Sequence, residues 1–442
     1  MRTTLLNGTV WLLAATAVAG IAGQLRGCDA RTTLESLVRR ACAWPVLIAL
    51  VVMSALGLGS RAAIGFLAPG AYAEEVVAAR SFLEERRLYD GDPRQELDQW
   101  SAEASIGATP WSSVPGIGPC QADALSDRAR FFTNHAHTPM LLLAGVPVVM
   151  LGGGRAIYVL LLLLSLAGIL GMAVILLSHA GVSLRSRPGV LVLAAIAGWQ
   201  PVLAGIRQGD AVLPVAALAG LAWHLARRHH RPAGAAVAAG LAACFALPAL
   251  AVLPALLRSW LRPGLGALIL FAAAVAATIG IAGAGVVPSF LETASQTAST
   301  YAFGLTNYAV FGRAHAAGLS TTLVFALGFT VVAVSWLRGR SVDDAFAAFM
   351  LTGLLFAPVI WSQHLALVLV PAVVLLRRLL LDGSSLSLTG WALLILLFSL
   401  PDASAASVCE MIPLRSAGAV LPVLSLGLFG FWGWIVAGAR RT

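Results

Sequence analysis

Residues 156–179 read AIYVLLLLLSLAGILGMAVILLSH, a run of 24 residues without an arginine or an acidic side chain. A helix rises 1.5 Å per residue, so this run is long enough to cross a hydrocarbon core about 30 Å thick. Comparable apolar runs recur along the 442-residue chain, of which 59% is hydrophobic and 11% is charged. Soluble domains have about 25% charged residues. The sequence therefore predicts an all-α, polytopic membrane protein.

Short clusters of arginine separate the apolar runs and indicate the topology. Loops on the cytoplasmic side carry an excess of basic residues, so we expect all of these clusters in the cytoplasm and the N-terminus outside. Two proline-containing runs are then expected not to cross: 139–151 as an interfacial or re-entrant helix, and 233–257 as a hairpin. The full spans expected are 7–25, 41–59, 156–179, 189–206, 211–226, 265–285, 318–337, 345–361, 363–377, 387–401 and 417–438.

The expected topology leaves one large loop, residues 60–138, on the outer face of a bacterial inner membrane. This loop carries 11 of the 20 acidic residues. The formal charge of +9 comes from the arginine clusters, so we expect a lipid bilayer as partner and no nucleic acid. We divide the chain into N-terminal helices (1–59), the loop with its juxtamembrane helices (60–155), a core (156–380) and C-terminal helices (381–442).

Two acidic residues, Glu74 and Glu75, begin an expected amphipathic helix just after an outward span. Ionisable residues at membrane depth are functional candidates by default. A carboxylate there is suited to taking a proton from an acceptor hydroxyl, which is the work of a general base. The alternative is a solvated helix face without chemistry.

A second polar group, Arg207, Gln208 and Asp210, forms an expected outer turn between two helices. The guanidinium of Arg207 matches phosphate oxygens, and the other two side chains can hydrogen-bond to sugar hydroxyls. The alternative is a polar turn in which Asp210 caps the following helix.

A third group, Trp361 and His364, breaks two apolar runs on the outer side. His364 is suited to binding phosphate or moving a proton, and Trp361 to stacking on a sugar or lying at the membrane interface. His137, beside Asn134 and His135, is a fourth candidate. No spacing of His, Cys or acidic residues indicates a metal site, although a divalent cation held by the loop acids is compatible with the sequence. Cys120 and Cys409 both fall in outer loops and are a candidate disulfide.

Taken in order, these residues resemble the GT-C integral-membrane glycosyltransferases, in particular glycosyltransferase family 87, over residues 60–380. An early loop acid, Glu74 or Glu75, followed by AARSFLEERRLYD, which ends at Tyr89–Asp90, matches one family stretch. The run HTPMLLLAGVP matches its juxtamembrane helix, and Gln208 with Asp210 matches its GQ-x-N turn. Asn307 partly matches an outer-loop asparagine. The closest match is Pro358, Trp361 and His364 to a P-x-x-W-x-x-H motif.

The resemblance implies inverting transfer of mannose or arabinofuranose from a polyprenyl-phosphate donor to a lipid-linked or cell-envelope glycan. Glu75 or Glu74 would be the base. Arg207, Gln208, Asp210, His364 and Trp361 would bind the donor, and His137, Asn307 and Tyr89 would contact substrate. No cofactor is obligatory in such enzymes.

One departure from the family pattern keeps other functions open. Phe245 stands where the family usually has lysine. An inactive assembly partner with the same fold would fit that change. A lipid or solute transporter is the other alternative, although its ionisable residues would more often lie at mid-membrane.

Overall fold

The computed structural model describes residues 7–67, 72–85, 88–89, 137–227, 231–301, 309, 320–338, 341–357, 360–399 and 423–438. Within these ranges all regular elements are helices, and the one bridge between extended residues joins Asp29 and Ser384. The prediction of an all-α fold is confirmed for this part of the chain.

Seventeen α-helices and two 3₁₀ helices make up the described structure. They are α1 Gly8–Leu25, α2 Ala30–Ala41, α3 Trp44–Leu67, α4 Ala73–Glu85, α5 Pro139–Ala180, α6 Arg187–Ala197, α7 Gln200–Gln208, α8 Val212–Arg227, α9 Pro232–Phe245, the first 3₁₀ helix Leu247–Ala251, α10 Val252–Ser259, α11 Leu261–Ala282, α12 Val286–Tyr301, α13 Thr321–Arg338, α14 Val342–Phe356, the second 3₁₀ helix Ser362–Val368, α15 Leu369–Asp382, α16 Ser385–Phe398 and α17 Val423–Gly438.

Fewer helices than expected are long enough to cross a membrane. Five described segments meet the length and hydropathy of a span: Gly8–Leu25, Trp44–Phe66, Pro139–Ala180, Leu261–Ala282 and Ser362–Leu381. The helices α6 and α7, which meet at an angle of 56°, could form a sixth. Eleven full spans are therefore not confirmed. Several expected spans are shorter helices of 10–17 residues, whereas α3 continues to Leu67, beyond its expected end at residue 59.

Breaks in the backbone lie where proline and glycine interrupt the apolar runs. Gly153, with φ 68° and ψ −169°, separates the Pro139 end of α5 from the 156–179 run. A glycine adopts this left-handed φ without the steric cost of a Cβ. In the 233–257 run, α9 ends at Phe245 and a 3₁₀ helix containing Pro248 follows. The 233–257 run is thus interrupted as expected, whereas Pro147 lies inside α5 and the break there is at Gly153. That neither run crosses the bilayer stays a prediction.

Polar side chains at the helix starts satisfy backbone N–H groups that have no intrahelical acceptor. Asn7 accepts from Thr9 and Val10 at the start of α1, and Ser341 accepts from Asp344 at the start of α14. Asp210 plays the same role for α8, since its Oδ1 accepts the N–H of Val212 at 3.1 Å.

Small side chains allow the central helices to pack closely. Six of the seven alanines of α9 are buried between α8 and α11. Trp223 of α8 packs on Phe346 of α14 at a ring distance of 6.4 Å. Close approach of helix backbones through small residues is typical of membrane proteins. Around this core, α4 packs on α5, and the second 3₁₀ helix packs on α7 and α8. These contacts position the polar groups described below.

The contact between α14 and the first 3₁₀ helix has no room for a side chain at Gly353. A Cβ there would overlap the carbonyl oxygen of Pro248 and lie 2.7 Å from the Cβ of Ala251. We expect Gly353→Ala to destabilise the protein by about 1–3 kcal/mol through overpacking. Gly280→Ala in α11 is the matched control because a Cβ there meets nothing within 4 Å. Equal thermal unfolding temperatures of the two variants in detergent would contradict this packing.

Candidate functional site

Glu75 is a buried carboxylate on α4, the helix that packs against α5. Its side chain is 1% exposed. Its Oε1 lies 3.0 Å from Nδ1 of His137, two residues before α5 begins. The hydroxyl of Tyr89 donates to the main-chain oxygen of His137 at 2.9 Å, which helps to hold the histidine in place. The alternative of a solvated helix face does not hold for Glu75, because this residue is buried.

Asp210 is a second buried carboxylate, in the turn between α7 and α8. It is 5% exposed. While Oδ1 caps α8, Oδ2 accepts a hydrogen bond from Nε2 of Gln363 at 3.1 Å. Asp210 therefore caps α8 and also accepts a hydrogen bond from the segment 361–364 between the two apolar runs. It links two polar groups that the sequence indicated separately.

His364 is oriented by the main chain of its own turn. The N–H of Trp361, the N-cap residue of the second 3₁₀ helix, donates to Nδ1 of His364 at 3.0 Å. A neutral imidazole has one donor and one acceptor nitrogen, so the neutral ring carries its proton on Nε2. His364 can then donate a hydrogen bond through Nε2.

The charge of Asp210 depends on both histidines. Burial raises the pKa of this carboxyl, but the electrostatic effect of His364, followed by that of His137, lowers it. The hydrogen bonds from Gln363 and from the N–H of Val212 lower it further. The net result is a pKa below the usual 3.8, so Asp210 is ionised at neutral pH. We call Glu75, His137, Asp210, Gln363 and His364 the Glu75–Asp210 site.

Two tyrosines hold the turn that carries Asp210. Gly209 has φ 62°, and a Cβ there would lie 2.7 Å from Tyr158 and 2.8 Å from Tyr72. The hydroxyl of Tyr158 lies 2.9 Å from the main-chain oxygen of Ala62 and 3.1 Å from that of Ile206. The turn therefore requires glycine for its φ and also for the close approach of the rings.

The other predicted site residues divide into those near the site and those that fall outside the described ranges. Arg207 and Gln208 are half-buried in the last turn of α7, and the Gln208 main-chain oxygen accepts from the N–H of Tyr72 at 3.4 Å. The sequence indicates no role for Gln363, and its bond to Asp210 is a finding of the structure. The predictions that lie outside the described residues concern the Glu74 side chain, Asn307 and the Cys120–Cys409 disulfide.

An apolar groove with a volume of about 820 Å³ runs between α5 and α8. Glu75 lies at one end, next to the start of α8, and Phe245 lines the groove there. His224 and Arg231 lie at the other end, where α8 finishes and α9 begins. Phe245 thus adds apolar surface to the groove that Glu75 also lines.

Within the described ranges, no three His, Cys, Asp or Glu residues cluster as metal ligands. A divalent cation held by the acidic residues of the 60–138 loop stays a prediction. Comparison with known protein families, characterised proteins and solved structures gives no match. The function is therefore argued from the chemistry of the Glu75–Asp210 site and its groove.

The lowered pKa of Asp210 predicts a pH dependence of stability. A carboxylate whose folded pKa lies below its unfolded value stabilises the fold above the unfolded pKa, and this stability is lost as the pH falls through the folded pKa. Below about pH 4, we expect the unfolding free energy of the wild type to fall more steeply than that of Asp210→Asn, by up to about 1.4 kcal/mol per pH unit.

Denaturant unfolding in detergent between pH 3 and pH 6 measures this difference. Glu84→Gln, which alters an exposed carboxylate on α4, is the control and should follow the wild type. Parallel curves for the wild type and Asp210→Asn would contradict the electrostatic role assigned to Asp210.

Proposed function

We propose that the protein is a membrane glycosyltransferase. It would move mannose or arabinofuranose from a polyprenyl-phosphate donor to a lipid-linked or cell-envelope glycan acceptor. The observation that carries the proposal is the buried Glu75–His137 pair at the end of an apolar groove. A groove of this kind suits an amphiphile whose hydrocarbon chain is buried and whose head group meets a few placed polar groups.

Glu75 is the proposed general base of an inverting displacement. The acceptor oxygen attacks the anomeric carbon while the bond from that carbon to the phosphate oxygen breaks. The proton of the acceptor hydroxyl passes to the Glu75 carboxylate, and polyprenyl phosphate leaves with the bonding electrons. His137 lies 3.0 Å from Glu75. When the imidazole of His137 is protonated, its positive charge helps to keep the Glu75 carboxylate ionised.

The leaving phosphate and the sugar are assigned to the polar groups around Asp210. Charge that develops on a leaving group is stabilised by preorganised donors and cations. The Nε2–H of His364 and the guanidinium of Arg207 are the proposed donors to the phosphate. The ionised Asp210, together with Gln208, is suited to accept hydrogen bonds from sugar hydroxyls.

We propose that the protein lies in a bacterial inner membrane and that this site faces the periplasm. The arginine clusters support this orientation through the excess of basic residues in cytoplasmic loops. Trp361 is then proposed to contact the sugar, and Tyr89 is proposed to form part of the wall of the site.

A lipid transporter is the second candidate, because the groove extends from Glu75 to Arg231 rather than ending at the site. A flippase would move labelled polyprenyl phosphate across proteoliposomes without forming a glycosidic bond. A transferase forms the bond whether or not the lipid crosses. Separation of products by thin-layer chromatography, alongside a dithionite-quenching assay of lipid orientation, distinguishes the two functions.

We expect Glu75→Gln to lower transfer from labelled polyprenyl-phosphate mannose or arabinose by about 10²–10⁴-fold, the usual contribution of a general base. The amide keeps the size of the side chain but cannot take up the proton. Glu84→Gln on the same helix is the matched control and should retain full activity, because Glu84 is exposed and away from the groove. Transfer by Glu75→Gln at the wild-type rate would eliminate the proposed base.

We expect His364→Asn to lower transfer by about 10²-fold, because it removes the Nε2–H that stabilises the leaving phosphate. The shorter amide still offers an acceptor to the N–H of Trp361, so the turn is retained. His364→Gln places an N–H₂ donor nearer the lost Nε2 and should restore part of the activity. Equal loss in both variants would indicate a structural role for His364 instead.

A further inference from the structure

The two ends of the groove differ in charge. Glu75 lies at one end, whereas His224 and Arg231 lie at the other. Among the described residues that line the groove, Glu75 is the one acidic side chain. An anion is therefore favoured at the Arg231 end of the groove.

A chain of contacts determines where the proton of His224 lies. An NH1 group of Arg227 lies 3.0 Å from Nδ1 of His179, and Nε2 of His179 lies 3.2 Å from Nδ1 of His224. Guanidinium groups only donate, so Nδ1 of His179 accepts and its proton is on Nε2. Nδ1 of His224 must then accept from His179. The neutral His224 ring consequently carries its own proton on Nε2.

The neighbouring acidic residue is already engaged by other groups. Asp343 accepts from Nε1 of Trp223 at 3.0 Å and pairs with Arg227 at 3.3 Å and Arg377 at 3.7 Å. Within the described ranges no acidic side chain pairs with Arg231. The acidic side chains of the described residues therefore do not neutralise the positive charge of Arg231 at this end of the groove.

Arg231 is also the N-cap residue of α9, a helix of 14 residues. Within the described structure its side chain makes no capping hydrogen bond to the first turn. The unsatisfied N–H groups and the helix dipole add to the attraction for an anion. Arg231, His224 and the start of α9 thus converge on one end of an apolar groove.

We propose that this end of the groove binds an anionic phospholipid. The phosphate contacts Arg231 and His224, and one acyl chain lies in the groove between α5 and α8. Gly168 and Ser178 both line the groove. The ten residue steps between them rise about 15 Å along the helix, which is half of the hydrocarbon core. This length suits the chain of a lipid in one leaflet. The lipid site is separate from the Glu75–Asp210 site and does not depend on the proposed transfer reaction.

Gly171 provides a way to fill the groove. It lines the groove, and a Cβ there meets nothing within 4 Å. In Gly171→Leu the new side chain has free space around its Cβ and removes room for an acyl chain. Leucine is also a better helix former than glycine, so the substitution should not destabilise α5.

The test is a binding titration on the purified, delipidated full-length chain. It compares phosphatidylglycerol and phosphatidylcholine with identical acyl chains, with bound lipid counted by native mass spectrometry. We expect one site that prefers phosphatidylglycerol by about tenfold or more, the effect of one charge-assisted hydrogen bond. Combined Arg231→Gln and His224→Gln should abolish the preference, and Gly171→Leu should weaken binding of both lipids by about tenfold or more.

Arg185→Gln, an exposed arginine outside the groove, is the matched control and should bind like the wild type. Thermal unfolding of each variant without added lipid verifies that it is folded. Equal affinity for the two lipids, or wild-type binding by a folded Gly171→Leu, would overturn the proposal. Competition by chainless glycerophosphoglycerol as strong as that by phosphatidylglycerol would also overturn it, because the groove would then contribute nothing.

Discussion

The carboxylates of Glu75 and Asp210 are both removed from water, and the arrangement of the site follows from how their charges are offset. An ionised group costs several kcal/mol to bury unless charged or hydrogen-bonding partners replace its hydration. His137 lies against Glu75, while Gln363 and the N–H of Val212 bind the two oxygens of Asp210. A buried carboxylate that is held close to imidazoles is typical of sites where protons or phosphates are handled.

The groups that offset the charges of Glu75 and Asp210 come from parts of the chain that are far apart in sequence. Glu75 comes from a short helix, His137 from the residues before α5, Asp210 from a tight turn, and Gln363 from a 3₁₀ helix. Apolar packing between these elements supplies the stability, and the polar contacts then select one relative position for them. The same packing of α5 against α8 leaves the groove that begins at Glu75.

Sequence reasoning located individual polar residues better than it located helices. His364 and Asp210 stand out because polar residues are rare in apolar runs, and α4 was expected from its amphipathic pattern. Hydropathy could not resolve the bend at Gly198, where α6 and α7 meet at 56°, since the bend lies inside one run without charged residues, 188–206. Nor could it pair Gln363 with Asp210 or bury Glu75 against His137, because such contacts depend on how distant helices pack.

The most direct test of the account is a cryo-electron-microscopy structure in lipid nanodiscs with a non-transferable polyprenyl-phosphate mannose analogue. We expect the sugar between Glu75 and Asp210, the phosphate beside His364 and Arg207, and prenyl density at the Glu75 end of the groove. Density for the analogue elsewhere on the protein, with Glu75 and His137 still in contact and no ligand beside them, would contradict the assignment of this site to sugar transfer.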